Sequence, residues 1–109
     1  MKTIAVIHVI KGAQPSRLQA LLPDEVRMAW DGMKSGIVRA AQNIADGGGV
    51  LELETADAAQ AETFVQALPL VAAGLVSCRM YPLVPYTGFG LLMIQARPGE
   101  RAEPGDGSA

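Results

Sequence analysis

Three side chains in this sequence have the chemistry of a proton-transfer site: Glu25, His8 and Arg39. Glu25 follows Leu22-Pro23-Asp24. A glutamate held in apolar surroundings binds its proton more tightly and becomes an effective base near neutral pH. The competing reading is a first-turn glutamate drawn to the positive end of a helix. His8 is the only histidine and lies inside an apolar run. Imidazole exchanges protons near neutrality, so His8 is a second candidate base; a satisfied core or interface histidine is the alternative. Arg39 supplies a fixed cation able to hold a carboxylate or an enolate, or to pair with Glu52 across a hairpin.

Aromatic side chains complete the candidate set. Trp30, Tyr81 and Tyr86 are placed to shape a ligand pocket, although Trp30 also sits at core spacing and the tyrosines near strand ends. Cys78 is the only cysteine and has no evident activating neighbour, which makes it a buried, inert thiol and rules out an intrachain disulfide. Gly47-Gly48-Gly49 reads as a hairpin turn, because no helix start follows it as a phosphate loop requires.

These residues need elements to position them. The β-branched run Thr3 to Ile10 predicts a first strand, with Ile4, Val6, His8 and Ile10 on one face and Thr3, Ala5, Ile7 and Val9 on the other. A helix follows. Ser16 is its expected N-cap, and Pro23 is expected to begin a new or kinked segment. Leu22, Val26, Ala29, Trp30 and Met33 are expected to form the apolar stripe, and Gly36 the C-terminal cap. Residues 37–44 and 50–55 predict a hairpin, the second strand alternating Leu51 and Leu53 with Glu52 and Glu54. Thr55 or Asp57 opens a second helix, which presents Ala58, Ala61, Phe64, Val65 and Leu68 and closes at Pro69 and Gly74. Residues 75–83 predict a fourth strand and 84–94 a short extra strand.

The resulting order, β-α-β-β-α-β, is the ferredoxin-like α+β pattern with an antiparallel sheet covered by helices on one face. One domain over residues 1–96 is expected, followed by a disordered tail over 97–109 rich in Pro, Gly and charge. The 109 residues are 50% hydrophobic and only 18% charged, against roughly 25% charged in an average chain. That excess of apolar surface, with a sheet face left bare, predicts a homodimer or higher homo-oligomer. The net charge of −2 and the absence of a basic patch argue against nucleic acid as a partner. No Cys/His cluster suggests a metal, and no apolar run approaches the ~20 residues of a membrane span. With no cleavable leader evident at Met1, a cytoplasmic protein is expected.

Several motifs occur together: LPDE at Leu22 to Glu25, SGIVR at Ser35 to Arg39, IADGGGVLELET at Ile44 to Thr55, ALPLVAAGL at Ala67 to Leu75, and YPLVPYTGF at Tyr81 to Phe89. With these, the stretch from Leu22 to Tyr86 resembles the muconolactone Δ-isomerase family, a branch of the dimeric α+β barrel superfamily. The resemblance implies a dimeric α+β barrel and a homo-oligomer. It implies movement of a proton between carbons next to a carbonyl, in a pocket between helices and sheet, without metal or organic cofactor. Glu25 matches a glutamate common at this helix position in the family, and Arg39 a basic position after the glycine. Where the isomerases carry aromatic, basic and histidine residues along the second strand, this chain has Ala40, Ala41, Gln42, Asn43 and Ile44. Three functions therefore stand side by side: a cofactor-free isomerase or proton-transfer enzyme on a small lactone, enol or polyketide-like carbonyl compound; a non-catalytic small-molecule-binding or accessory module; and a cofactor-independent monooxygenase, a reaction found on sibling folds.

Overall fold

Strand alternation decides which side of the sheet is covered. The computed structural model describes residues 1–94, and the tail expected at 97–109 lies outside the described residues. Along the chain the elements are β1 (Lys2–Val9), α1 (Pro15–Ser35), β2 (Val38–Asn43), β3 (Gly49–Glu54), α2 (Ala58–Gln66), α3 (Pro69–Ala72), β4 (Val76–Pro82) and α4 (Gly90–Ile94). The strands pair antiparallel in the order β2-β3-β1-β4. This is the expected ferredoxin-like α+β arrangement.

On the covered side Thr3, Ala5, Leu51, Leu53 and, on β2, Val38 are buried, and Ala61, Val65 and Leu68 close over them. A second cluster, Leu70, Leu75 and Val76, packs against Leu18 and Leu21 of α1. On the open side the register aligns Ile4 with Glu52 and Tyr81, Val6 with Val50 and Arg79, and His8 with Ser77. Val76, Cys78 and Met80 point the other way, toward the helices, so β4 gives the open face a serine, an arginine and a tyrosine. That face is less apolar than the hydrophobic run of residues 75–83 suggests.

The α1 helix differs from expectation in three ways. Its N-cap is Gln14, with Pro15 in the first turn, and Ser16 lies inside the helix. Proline at the first helical position sacrifices no hydrogen bond, so Pro15 sets the start without a capping hydroxyl. Pro23 sits inside one continuous 21-residue helix rather than starting a new one. Its ring lies on the exposed side, where water can serve the carbonyl it deprives of a partner. Finally, the inward positions are Leu18, Leu21, Glu25, Met28 and Gly32, whereas Leu22, Val26, Trp30 and Met33 are all exposed. Gly32 faces in because there is no room for more: a Cβ there would lie 2.7 Å from Val38 and 2.8 Å from Phe64. The helix does end at Gly36, whose φ of 90° is a left-handed cap.

Asp57 caps α2, its Oδ1 accepting from the Gln60 N–H at 2.8 Å. Pro69 does not merely end this helix. It begins α3, whose capping position is Leu68, a residue without a capping side chain. After β4 the chain continues as an exposed arm ending in α4, not as the expected extra strand. Leu83 makes the last sheet-like bond, N–H to the Lys2 carbonyl at 2.8 Å. Pro85 then lacks the donor that a further strand would need.

Candidate active site

A cleft of about 440 Å³ lies between α1 and the hairpin end of the sheet. Its walls are mostly apolar: Ile7 and Leu51 from the sheet, Leu22 and Val26 from α1, Leu68 and Leu70 from the α2–α3 corner. The hairpin tip closes one end. Gly48, at φ 94°, passes so near β1 that a Cβ would collide with the Ile7 carbonyl, so only glycine permits this approach. Three residues of polar type are among those lining the cleft, Glu25, Gln42 and Asn43; register places Asn43 on the cleft side with Gly49 and Ile7, and Gln42 on the open side with Val50.

Glu25 reaches the cleft because it occupies an inward position of α1, seven residues after Leu18 and seven before Gly32. Its Oε1 accepts a hydrogen bond from the Leu70 N–H at 2.9 Å. Leu70 is the second residue of α3, and an N–H there has no acceptor within the helix. Glu25 thus supplies from α1 the cap that Leu68 cannot. Burial raises the Glu25 pKa above the usual glutamate value, and the Leu70 N–H opposes this with a smaller effect. Among the described residues no lysine, arginine or histidine lines the cleft to compensate a charge at Glu25. Among the described residues Oε2 makes no hydrogen bond, which leaves it for a bound molecule. The result is a half-buried carboxyl with one oxygen fixed and the other facing an apolar space.

The other sequence candidates lie elsewhere. His8 is exposed on the open side of the sheet, and the sheet separates it from the cleft. Arg39 sits at the irregularity between Val38 and Ala40, exposed, with Nε donating to the Gly36 carbonyl at 2.6 Å. The expected Arg39–Glu52 ion pair is replaced by Lys2–Glu52, at 3.3 Å, because Lys2 and Glu52 are near neighbours across the β1–β3 pairing. Tyr81 is on the open face and Tyr86 on the arm, where its ring meets Phe89 edge-on at 4.8 Å. Trp30 is 57% exposed on the outer side of α1. Glu25 alone of these residues lines the cleft.

Sequence reasoning did not single out Gln42, Asn43 or the Leu70 N–H. A signal for the first two was present: Gln42-Asn43 ends the second strand beside the glycine turn, and register sets Asn43 opposite Gly49 at the hairpin tip. The Leu70 N–H carries no side-chain signature at all. Among the described residues, no group of three or more His, Cys, Asp or Glu is placed to hold a metal ion, and no helix is long and apolar enough to cross a membrane.

No family model matches the chain, and no curated protein does. Solved structures do. The crystal structure of muconolactone isomerase superposes with a TM-score of 0.67 at 16% identity, covering 79% of this chain and 91% of that one. A 5-chloro-2-hydroxyhydroquinone dehydrochlorinase from Burkholderia phenoliruptrix AC1100, in complex with 2,5-dihydroxybenzoquinone, gives 0.56 at 15% identity, covering 81% and 98% respectively. At these identities the likeness is one of fold: the chain has a muconolactone isomerase-like fold.

Proposed function

We propose that the cleft between α1 and the sheet is the active site of an isomerase or related proton-transfer enzyme acting on a small lactone, enol or other carbonyl compound, as a homodimer or larger homo-oligomer. The observation that carries this reading is Glu25: a half-buried carboxyl, its pKa raised by burial, facing an apolar cleft of about 440 Å³. That volume falls in the ~300–1,000 Å³ range of small-molecule sites. Two solved structures of like fold are named for chemistry on small oxygenated rings, and one holds a quinone.

The chemistry follows from the placement. Ionised Glu25 takes a proton from a carbon next to the substrate carbonyl, and the C–H electron pair moves into an enolate. The raised pKa makes the carboxylate a stronger base than a solvated one. The amide N–H group of Asn43, which register places on the cleft side with Gly49 and Ile7, can donate to the enolate oxygen, the part that Arg39 holds in the sequence expectation. The neutral carboxyl then returns the proton to another carbon of the conjugated system. No redox equivalent is consumed in this cycle. Low polarity in the rest of the cleft strengthens each of these contacts.

A non-catalytic binding module is the second reading. It is favoured by the hydrogen bond that already occupies Oε1 of Glu25, a structural task that needs no substrate. Turnover and calorimetric binding of a panel of small lactones, enols and hydroxyquinones separate the two. Turnover by the wild type that Glu25→Gln loses, with binding kept, supports the enzyme. Binding without turnover supports the module. A panel that neither binds nor reacts contradicts both.

A further inference from the structure

Among the described residues that line the cleft, the one ionisable side chain is an acid, Glu25. The Leu70 N–H holds its Oε1 at 2.9 Å, so the carboxyl has a fixed seat at the wall. Two influences act on its pKa: burial, which raises it, and that N–H, which lowers it. The backbone donor that could have met an incoming anion is therefore already spent on Glu25.

Several basic side chains are seated elsewhere. Lys2 pairs with Glu52 at 3.3 Å and Lys34 with Asp31 at 3.5 Å. Arg39 donates to the Gly36 carbonyl, and register sets Arg79 opposite Val6 on the open side of the sheet. What surrounds Glu25 instead is hydrocarbon, from Ile7, Leu51, Leu68, Leu70 and Val76, with the neutral amide of Asn43 at the hairpin end.

A ligand carrying an anionic group meets two costs in such a place. Exchanging water for apolar walls penalises an ion far more than a neutral ester or amide. Ionised Glu25 then repels it across a space that screens charge less than bulk water does. A neutral ligand escapes both, and its carbonyl can accept from Asn43 while a hydroxyl or C–H faces Glu25 Oε2. The volume of about 440 Å³ is about three times that of the ~150 Å³ cavity that admits benzene, which is room for two fused rings.

We propose that the cleft selects its ligand by charge: it takes an uncharged one- or two-ring carbonyl compound, such as a lactone or cyclic enone, and turns away the same ring bearing a carboxylate. This rests on the cleft being the ligand site, as read above, but not on turnover there.

Matched pairs differing only in charge test it: the carboxylate and the carboxamide of coumarin, and the same pair built on a pyrone. Calorimetric titration of the full chain near neutral pH should give each carboxamide a Kd at least ~10-fold below that of its carboxylate. Two variants move the carboxylates alone. Glu25→Gln removes the repulsion and should tighten them several-fold, leaving the carboxamides within about 2-fold. Val26 lines the cleft yet is 58% exposed, so Val26→Lys brings a cation to the mouth at little cost to folding, and it should tighten the carboxylates again. Circular dichroism verifies the fold of both variants. Carboxylates that bind wild type as tightly as their carboxamides, and that respond to either variant, overturn selection by charge while leaving the cleft as the ligand site. Binding by neither member of a pair, or binding that both variants leave unchanged, overturns the ligand site itself and this inference with it.

Discussion

The two faces of one sheet treat the same functional group in opposite ways. On the covered side, Glu25 stands over an apolar cleft, and burial pushes its pKa up. On the open side, Glu54 meets the amino terminus at 2.7 Å, and that ammonium, with lesser help from Arg39 and Lys2, pulls its pKa down. Glu52 beside it pairs with Lys2. A solvated, paired carboxylate is a weak base that contributes little to stability. A carboxylate in a cleft without counter-charge is a stronger base and a burden on folding. Residue type alone does not decide which glutamate does chemistry; the face of the sheet it meets does.

The contrast between faces can be broken first at the level of packing. Leu53 and Glu52 are neighbours on β3, one wholly buried and one on the open side. Leu53→Ala should cost ~2–5 kcal/mol in urea unfolding, by lost transfer energy and the cavity left behind. Glu52→Ala should cost about 1 kcal/mol or less, since only an exposed ion pair is lost. Similar losses from both would mean that the open face is covered in the protein as it exists in solution.

The next effect is on turnover. If Glu25 is the base, Glu25→Gln should lower kcat/KM ~100-fold or more, the usual contribution of a positioned general base. Glu52→Gln, on the other face, should leave it within about 2-fold of wild type, a difference of ~0.4 kcal/mol. Steady-state kinetics on the same substrate compare the two directly.

A smaller effect concerns pH and stability. The folded-state pKa of Glu25 is raised, so the native state binds this proton more tightly than the unfolded chain. Stability from this group is fully present below the unfolded glutamate pKa and falls as pH rises through the folded value. Wild type should therefore lose stability relative to Glu25→Gln as pH rises from ~4. The difference should level off once the carboxyl is ionised in both states. Because Glu25 is only half-buried, the change is a fraction of what full burial would give. Glutamine can still accept from the Leu70 N–H, so the comparison isolates the charge. Urea midpoints at a series of pH values supply the test.

Much of the fold was legible because β1 is a β-branched apolar run, because β3 alternates Leu51 and Leu53 with Glu52 and Glu54, and because Asp57, Gly36 and the glycine turn carry local signals that the backbone needs. The first helix was legible in extent but not in orientation. Its apolar residues Leu22, Val26, Trp30 and Met33 keep helical spacing and look like a core stripe. Its true inner face is interrupted by Glu25, which faces the cleft and caps α3, and by Gly32, which leaves room for Val38 and Phe64. A face that holds a charged group and a bare backbone scores as less hydrophobic than the outer one, so pattern reading turns the helix to the wrong side. The same cause hid part of the site. Glu25 was visible by type, but the sheet that separates it from His8, Arg39 and Tyr81 is a tertiary fact. The bond from Leu70 depends on a four-residue helix that Pro69 starts rather than on any polar side chain.

The smallest predicted effect lies in the core itself. The buried Thr3 hydroxyl has no hydrogen-bond partner among the described residues. Thr3→Val keeps the shape and removes the unsatisfied oxygen, so it should stabilise by about 1 kcal/mol in thermal or urea unfolding.

The central claim is that the working surface is the covered side of the sheet. Amide chemical-shift mapping with a small lactone or enol that the protein binds tests it most directly. The account predicts saturable shifts at Glu25, Val26, Leu51 and Leu70, with Ser77 and Arg79 on the open face unmoved. Shifts centred on Val6, His8, Ser77 and Arg79, with the Glu25 cleft silent, would contradict it.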